Sequence, residues 1–258
     1  MSVLPLDVLA VTPSVRCGLT AHEEQLHRIF GCEVLQETGI LLELPQVVMV
    51  TAQAILHRFF YRQSLTRFDA YAVAMGSLLL ASKLEEQPKM VRDIVFVFYY
   101  VYHTRRQTPR PKTLDIGGQV YSRWKLEVVN MERLILRELG FCLYRIMEHP
   151  HKFILYFVRL LGGNAELAQI SWNYLNDSMR LDLCTRYPAK LLAATAIYIA
   201  ARKLGHALPN HNECPWFAIM GADLETIQVV ASSILALYHM PRLSWVEPLV
   251  PCDFLTDV

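Results

Sequence analysis

Two segments of this chain share the same pattern of small and apolar residues at a constant separation. Residues 72–83 align with residues 191–202 without a gap, and Ala74 falls on Ala193. The segments that precede them keep the same separation of 119 residues. Solenoid repeats recur every roughly 20–50 residues, so a separation of this size indicates a duplicated domain. The chain is therefore expected to contain two copies of one fold.

Capping residues and apolar spacing predict that each copy is a bundle of helices. Thr20 and Glu23 form a capping-box pattern before an amphipathic segment. Asp69 can cap the helix that carries the first repeat, and Gly140 can end a long helix. We expect an all-α protein with two tandem five-helix bundles. The predicted parts are an N-terminal extension at 1–19, a first bundle at 20–143, a second bundle at 148–241 and an irregular C-terminal tail at 242–258.

The segment 91–103 is the one place where the pattern is ambiguous. Its residues 94–102 have high β propensity, yet they do not alternate between polar and apolar. No strand-like segment elsewhere in the sequence could pair with it. We therefore predict a buried helix here.

The composition excludes several classes of protein. Among the 258 residues, 53% are hydrophobic and the net charge is +1, which argues against a basic nucleic-acid-binding surface. The six cysteines contain no C-x-x-C pair, as is typical of reduced thiols in an intracellular protein. The apolar runs are far shorter than the roughly 20 residues that a membrane-spanning helix needs. We expect a soluble protein that needs no cofactor or metal.

Two motifs resemble those of the cyclin family. The sequence Leu80-Ala-Ser-Lys-Leu-Glu-Glu86 resembles the Leu-Ala-x-Lys-x-Glu-Glu signature of the first cyclin box. The sequence Val129-Asn-Met-Glu-Arg-Leu-Ile-Leu-Arg-Glu-Leu-Gly-Phe141 resembles the motif of that box's fifth helix. The two predicted bundles would then be the two cyclin boxes.

Within the family, further strings resemble the L-type cyclins of the transcription and splicing branch. They occur in the same order over nearly the whole chain, and their agreement is specific only when they are taken together. The main ones are Gly39-Ile-Leu-Leu-Glu-Leu-Pro-Gln46, His57-Arg-Phe-Phe-Tyr61, His149-Pro-His-Lys152 and Trp172-Asn-Tyr-Leu-Asn-Asp-Ser178.

The resemblance implies an activating subunit without catalysis of its own. Its partner would be a cyclin-dependent kinase of the PITSLRE type, with splicing factors as further candidates, and its location would be the nucleus. By the same resemblance, the third and fifth helices of the first box press on the kinase's C-helix. The sequence has no Gly-rich nucleotide loop, His-Arg-Asp or Asp-Phe-Gly motif, so the chain is not expected to be the kinase itself.

Lys83 and Glu132 are the principal candidates for contact with the kinase. The alternative is that both are ordinary charges on helix surfaces. In the second copy, Arg202 stands at the position of Lys83 and Ser233 at that of Glu132. The second box thus keeps the apolar frame without the acid, which favours a function for the acid in the first.

Five neighbouring residues match the family's apolar and acidic contact positions. For Phe141, core packing is an equally good interpretation, and Glu86 could pair with kinase arginines or be solvated. The five are Leu84, Glu86, Leu136, Phe141 and Leu143.

Other polar residues in the sequence do not indicate a metal site or a further binding site. His206, His211 and Cys214 match no common zinc spacing. The basic loop from Arg105 to Lys112 is typical of a solvated segment, although it could touch RNA or acidic proteins. The Met-Arg-Ala-Ile-Leu docking patch of cell-cycle cyclins is not found in the first helix, so recruitment of Arg-x-Leu substrates is not expected.

Three alternatives remain open from the sequence. A cyclin of the K or Q type would have a different kinase partner and the same mechanism. A transcription-factor core of the TFIIB kind shares the paired five-helix plan, but it should carry a basic face and usually a zinc ribbon. An α-helical enzyme would need convergent polar residues in a pocket, whereas the candidate helices are filled with Leu, Ile and Ala.

Overall fold

The structure is a computed structural model, and it describes residues 3–108, 114–141, 143, 148–211, 214–241, 243–252 and 254–255. The chain divides into two compact units. The front unit comprises Pro5–Tyr144 and Leu243–Val258, and the rear unit comprises Met1–Leu4 and Arg145–Arg242. In the described part of the chain, the predicted all-α class is confirmed.

The front unit is built from two short helices and five long ones. The short helices are α1 (Leu6–Ala10) and α2 (Pro13–Arg16). The long helices are α3 (Ala21–Leu41), α4 (Gln46–Phe60), α5 (Ala70–Leu84), α6 (Val91–Arg105) and α7 (Gln119–Glu138). The ambiguous segment is thus a helix, and most of the side chains on one face of α6 are buried.

In the part that the structure describes, the rear unit has four longer helices and two helices of about one turn each. Its helices are α8 (His151–Leu160), α9 (Ala165–Ser178), α10 (Leu183–Arg186), α11 (Ala189–Leu204), α12 (Trp216–Ile219) and α13 (Leu224–Ala236), followed by a 3₁₀ turn at Leu237–His239. Two two-residue strands, β1 (Asn210–His211) and β2 (Cys214–Pro215), pair antiparallel before α12.

The predicted capping residues act as predicted. Thr20 accepts from the backbone N–H of Glu23, whose carboxylate accepts from the backbone N–H of Thr20. Asp69 accepts from two backbone N–H groups at the start of α5. Asn164 and Asp223 act in the same way, since each accepts one backbone N–H at the starts of α9 and α13. These caps fix where the helices begin because they satisfy N–H groups that the helix itself leaves free.

Helix α5 is the centre of the front unit, where it packs against α3, α4, α6 and α7. Every residue of α5 is buried except Lys83 and Leu84 at its C-terminal end. A helix surrounded on all sides must be apolar or small around its whole circumference, which explains the uniform composition of the first repeat. Only the last turn of α5 can therefore present side chains to a partner.

The C-terminal tail returns to the front unit. The ring of Trp245 lies 5.3 Å from that of Phe30 and 5.1 Å from that of Tyr102. Phe254 packs edge-on against Trp124 at 5.1 Å. The Tyr102 hydroxyl donates to the backbone carbonyl of Leu255 at 3.2 Å. The tail thereby completes an aromatic cluster that the helices alone leave open.

Candidate partner-binding surface

Lys83 and Glu132 meet at the edge of the front unit. The Lys83 ammonium donates to both carboxylate oxygens of Glu132, at 2.6 and 2.8 Å. The Lys83 side chain is 50% exposed, whereas that of Glu132 is 12% exposed. Two of the three ammonium N–H groups are thus used within the chain, and the open side of the ammonium faces solvent.

Gly76 brings the two helices close enough for this ion pair. A Cβ atom placed on Gly76 would lie 2.6 Å from Met131 Cβ and 2.9 Å from the backbone nitrogen of Glu132. Lys83 follows Gly76 by two helical turns and therefore lies on the same face of α5. Gly76 allows α5 and α7 to cross at close distance. This close crossing brings the Lys83 ammonium within hydrogen-bond distance of the Glu132 carboxylate.

Sequence reasoning did not identify Gly76 as part of this site. The available signal was its position one heptad before Lys83, opposite Thr195 in the second copy. A glycine inside a buried helix destabilises that helix relative to alanine. Its presence there therefore indicates that the backbone of another helix approaches closely.

The end of α7 presents Phe141. The N–H of Gly140 donates to the carbonyl of Arg137, and the N–H of Phe141 donates to that of Leu136. These two bonds form a Schellman motif, in which the residue at the Phe141 position commonly packs near the residue at the Leu136 position. Phe141 is 71% exposed, which excludes the alternative interpretation that it packs in the core.

The end of α5 has the same motif with an acid in the place of glycine. Glu86 is exposed and has a φ of +55°, in the left-handed region that non-glycine residues rarely adopt. Its neighbour Glu85 accepts a hydrogen bond from the Thr51 hydroxyl at 2.6 Å, which ties the end of α5 to α4. Because Glu86 is exposed, its charge lies in solvent at the end of α5, three residues after Lys83.

The remaining candidates divide by burial. Leu84 and Leu136 are half-buried, so each keeps some apolar surface for a partner. Leu143 is only 5% exposed, and its side chain has little surface to offer. We call the other six residues the α5–α7 surface: Lys83, Leu84, Glu86, Glu132, Leu136 and Phe141.

The corresponding positions of the rear unit are arranged differently. Arg202 directs its guanidinium to the hydroxyl of Tyr198 in its own helix, at 3.0 and 3.2 Å. The Ser233 hydroxyl donates to the carbonyl of Val229, also in its own helix. The ion pair that links two helices in the front unit thus has no equivalent at these positions.

Two further polar residues singled out in the sequence, Arg105 and His151, are held by contacts within the chain. Arg105 forms ion pairs with Glu33 and Glu37 at 3.5 and 2.7 Å, which argues against a free basic patch there. Arg110 and Lys112 of the same loop lie outside the described residues.

His151 packs against the ring of Trp172 and shares a 2.7 Å hydrogen bond with the Asn176 side-chain oxygen. Burial lowers the pKa of His151 from 6.5 to about 4, against a smaller opposing effect of Asn176. The buried ring is therefore neutral and structural.

Neither a metal site nor a membrane span is found in the part of the chain that the structure describes. Within those residues, no group of three or more His, Cys, Asp or Glu side chains could hold a metal ion. His206 lies in this region, whereas the side chains of His211 and Cys214 lie outside it. The described helices are also too short or too polar to cross a bilayer.

Comparison with known proteins identifies the family. The model of the cyclin N-terminal domain matches residues 13–144. Cyclin-L2 of Mus musculus is 42% identical over 244 residues, which are 93% of this chain and 46% of that protein. Cyclin-L1 of Xenopus laevis is 42% identical over 240 residues, which are 92% of this chain and 47% of that protein. The chain spans just under half the length of these relatives.

A solved structure shares the fold. A chain in the crystal structure of the yeast RNA Pol II CTD kinase CTDK-1 complex matches with a TM-score of 0.73 at 16% identity. The match covers 92% of this chain and 72% of that one. The family model spans the front bundle and the ion pair at its edge, and the chain therefore belongs to the cyclin family.

Proposed function

We propose that this chain is the regulatory subunit of a cyclin-dependent kinase and that the α5–α7 surface is where the kinase binds. The observation that carries the proposal is the Lys83–Glu132 ion pair at the exposed end of a helix that is otherwise buried. Phe141, which follows the C-terminal end of α7, is a large, exposed apolar side chain. A charged pair flanked by apolar residues is the composition of a protein–protein contact, in which aromatic residues contribute most of the affinity.

The proposed mechanism is a shift between two kinase conformations. A ligand can move such an equilibrium only by the difference in its affinity for the two states. The ion pair between α5 and α7 is already formed in the free chain, so little ordering is needed on binding. A rigid surface that fits the kinase's C-helix only in its inward position would stabilise the active arrangement of the catalytic Lys and Glu.

The partner that we propose is a PITSLRE-type kinase, with transcription and pre-mRNA splicing in the nucleus as the setting. The support is the 42% identity to cyclin-L2 and cyclin-L1. The alternative within the family is that the chain is a cyclin of the K or Q type, with a different kinase partner. The family match weighs against the TFIIB-type alternative.

Co-purification with mass spectrometry tests the partner, and one substitution tests the surface. Phe141→Ala should weaken kinase binding about tenfold or more, as expected for one of the few interface residues that carry most of the binding energy. Its melting temperature should stay unchanged because the side chain is largely in solvent. Tyr156→Ala is the matched control, since Tyr156 is 65% exposed in the rear unit.

The proposal fails if the Phe141 and Tyr156 variants bind and activate the kinase equally well. It also fails if no cyclin-dependent kinase co-purifies with the chain.

A further inference from the structure

The rear unit contains an open groove of about 630 Å³ between α9, α11 and α13. It lies in the unit that does not carry the α5–α7 surface, and it uses none of that surface's residues. The residues that matter for its chemistry are Tyr174, Tyr198, Ile199, Arg202, Lys203 and Leu235.

The groove carries positive charge without an acid of its own. Arg202 and Lys203 are exposed, and none of the residues that line the groove is acidic. Within the described residues, no carboxylate lies within ion-pair distance of either cation. In the front unit, by contrast, the carboxylate of Glu132 neutralises the cation at the corresponding position. The duplication has thus retained the cation and replaced the acid by Ser233.

Two tyrosines hold the cations at the groove. The Arg202 guanidinium carbon lies 5.4 Å from the centre of the Tyr198 ring. The Lys203 ammonium lies 5.6 Å from the centre of the Tyr174 ring. These contacts orient both side chains without neutralising them, so their charge remains available to an anion.

The floor of the groove is apolar. Ile199 and Ala231 are each 5% exposed, and Leu235 is 41% exposed. A ligand with acidic groups alone would leave this surface in water. A segment that carries both carboxylates and an apolar side chain would satisfy both parts of the groove.

We propose that this groove binds an acidic linear segment of a partner protein. A carboxylate of the segment would accept from Arg202 Nη1, which is not used in the bonds to Tyr198, a second would pair with Lys203, and an apolar side chain would pack on Leu235. The missing acid of the second box would thus be supplied by another protein. This inference goes beyond the proposed function and does not depend on which kinase binds.

The test uses the full chain and a fluorescein-labelled peptide in which glutamates flank a single leucine. Fluorescence anisotropy should show binding that weakens as salt increases. Arg202→Gln with Lys203→Gln should weaken the binding about tenfold or more, since hydrogen bonds between oppositely charged groups are stronger than those between neutral groups. Arg159→Gln with Lys190→Gln removes the same charge from exposed sites in the same unit and should leave the affinity within about twofold.

A second variant tests the groove itself. Leu235→Glu places a carboxylate on the floor and should also abolish binding, while thermal melting confirms that each variant is folded. Equal binding by the Arg202/Lys203 and Arg159/Lys190 variants would overturn the proposal. So would the absence of binding to the unaltered chain, equal binding of a peptide with glutamine in place of glutamate, or binding of a single-stranded RNA oligonucleotide in place of the peptide.

Discussion

Lys83 and Glu132 are coupled through burial as well as through charge. The carboxylate is nearly buried and keeps both oxygens bonded to one ammonium. A buried charge that loses its partner costs more than a surface ion pair contributes. Substitutions at these two residues will therefore alter stability and partner binding together, and a useful experiment must separate the two effects.

A charge swap separates them. Lys83→Glu alone or Glu132→Lys alone brings two like charges together and should lower the free energy of unfolding by about 1–2 kcal/mol, between the values for surface and buried pairs. The double variant restores an ion pair and should recover most of the stability. Kinase binding should remain weak in all three variants, because the kinase then meets the reversed charge.

Urea unfolding and a kinase pull-down on the same four proteins provide the measurement. If the double variant regained kinase binding together with stability, the pair would be purely structural and its assignment to the interface would be wrong.

The sequence singled out these two charges, but it could not predict that they bond to each other. The comparison of the two copies isolated Glu132, since Ser233 replaces it. Whether the carboxylate faces a partner or its own chain depends on the distance between two helices, which no residue pattern encodes directly. For the same reason, the exposure of Phe141 and the burial of Leu143 could not be derived, since both follow the same helix end.

At the scale of elements, the crossing of α5 and α7 depends on one missing side chain. The Cβ of an alanine at position 76 would collide with the α7 backbone, which is less able to move than a side-chain tip. Helices pack through ridges and grooves, so the clash would displace α7 as a unit. The displacement would carry Glu132 away from Lys83.

Gly76→Ala should therefore lower the free energy of unfolding by about 1–3 kcal/mol, in spite of alanine's higher helix propensity. It should also weaken kinase binding, although it leaves the α5–α7 surface chemically unchanged. Ala74→Gly in the same buried helix is the control for backbone effects, since it loosens the packing without forcing the helices apart. Unfolding and binding measured together test this, and a Gly76→Ala variant more stable than the unaltered chain would contradict the close approach.

Helix starts were predictable, whereas several helix ends were not. Starts are fixed by side chains that accept backbone N–H groups, and Thr20, Asp69 and Asn164 belong to the few residue types that do so. In the front unit, however, Glu43 and Glu86 adopt the left-handed conformation that glycine usually marks at a helix end. A residue type that disfavours the conformation gives no signal for it, so tertiary packing must set these ends.

At the scale of the whole molecule, the duplication could be predicted from the sequence because each copy buries the same helix. The return of the tail to the front unit could not be predicted. Trp245 lies more than a hundred residues from its contacts Phe30, Tyr71 and Tyr102 in the sequence. A segment that contains prolines and lacks periodicity gives no face from which its packing site could be derived. Its aromatic residues were the only signal that it is more than a linker.

Two buried groups, one in each unit, should respond to acid in opposite directions. In the front unit, burial raises the pKa of Asp69 to about 6, against the lowering effect of its hydrogen bonds to α5. The folded state then binds this proton more tightly than the unfolded state, so the contribution of Asp69 to stability is lost as pH rises toward 6. In the rear unit, burial lowers the pKa of His151, so its contribution to stability is lost as the pH falls.

His151 should make the rear unit less stable as the pH falls from about 6.5 to 4. The unfolded state takes up a proton in this interval while the folded state does not, and the free energy of unfolding falls by at most about 1.4 kcal/mol per pH unit. His151→Gln keeps a side chain that can donate to Asn176 and cannot be charged, so its rear unit should lack this loss. Hydrogen-exchange mass spectrometry of peptides from α8 and α9, compared between the two proteins at each pH so that intrinsic rates cancel, measures the difference. Peptides from α4 in the front unit are the internal control, and equal acid sensitivity of α8 and α9 in the two proteins would show that His151 is charged in the folded state.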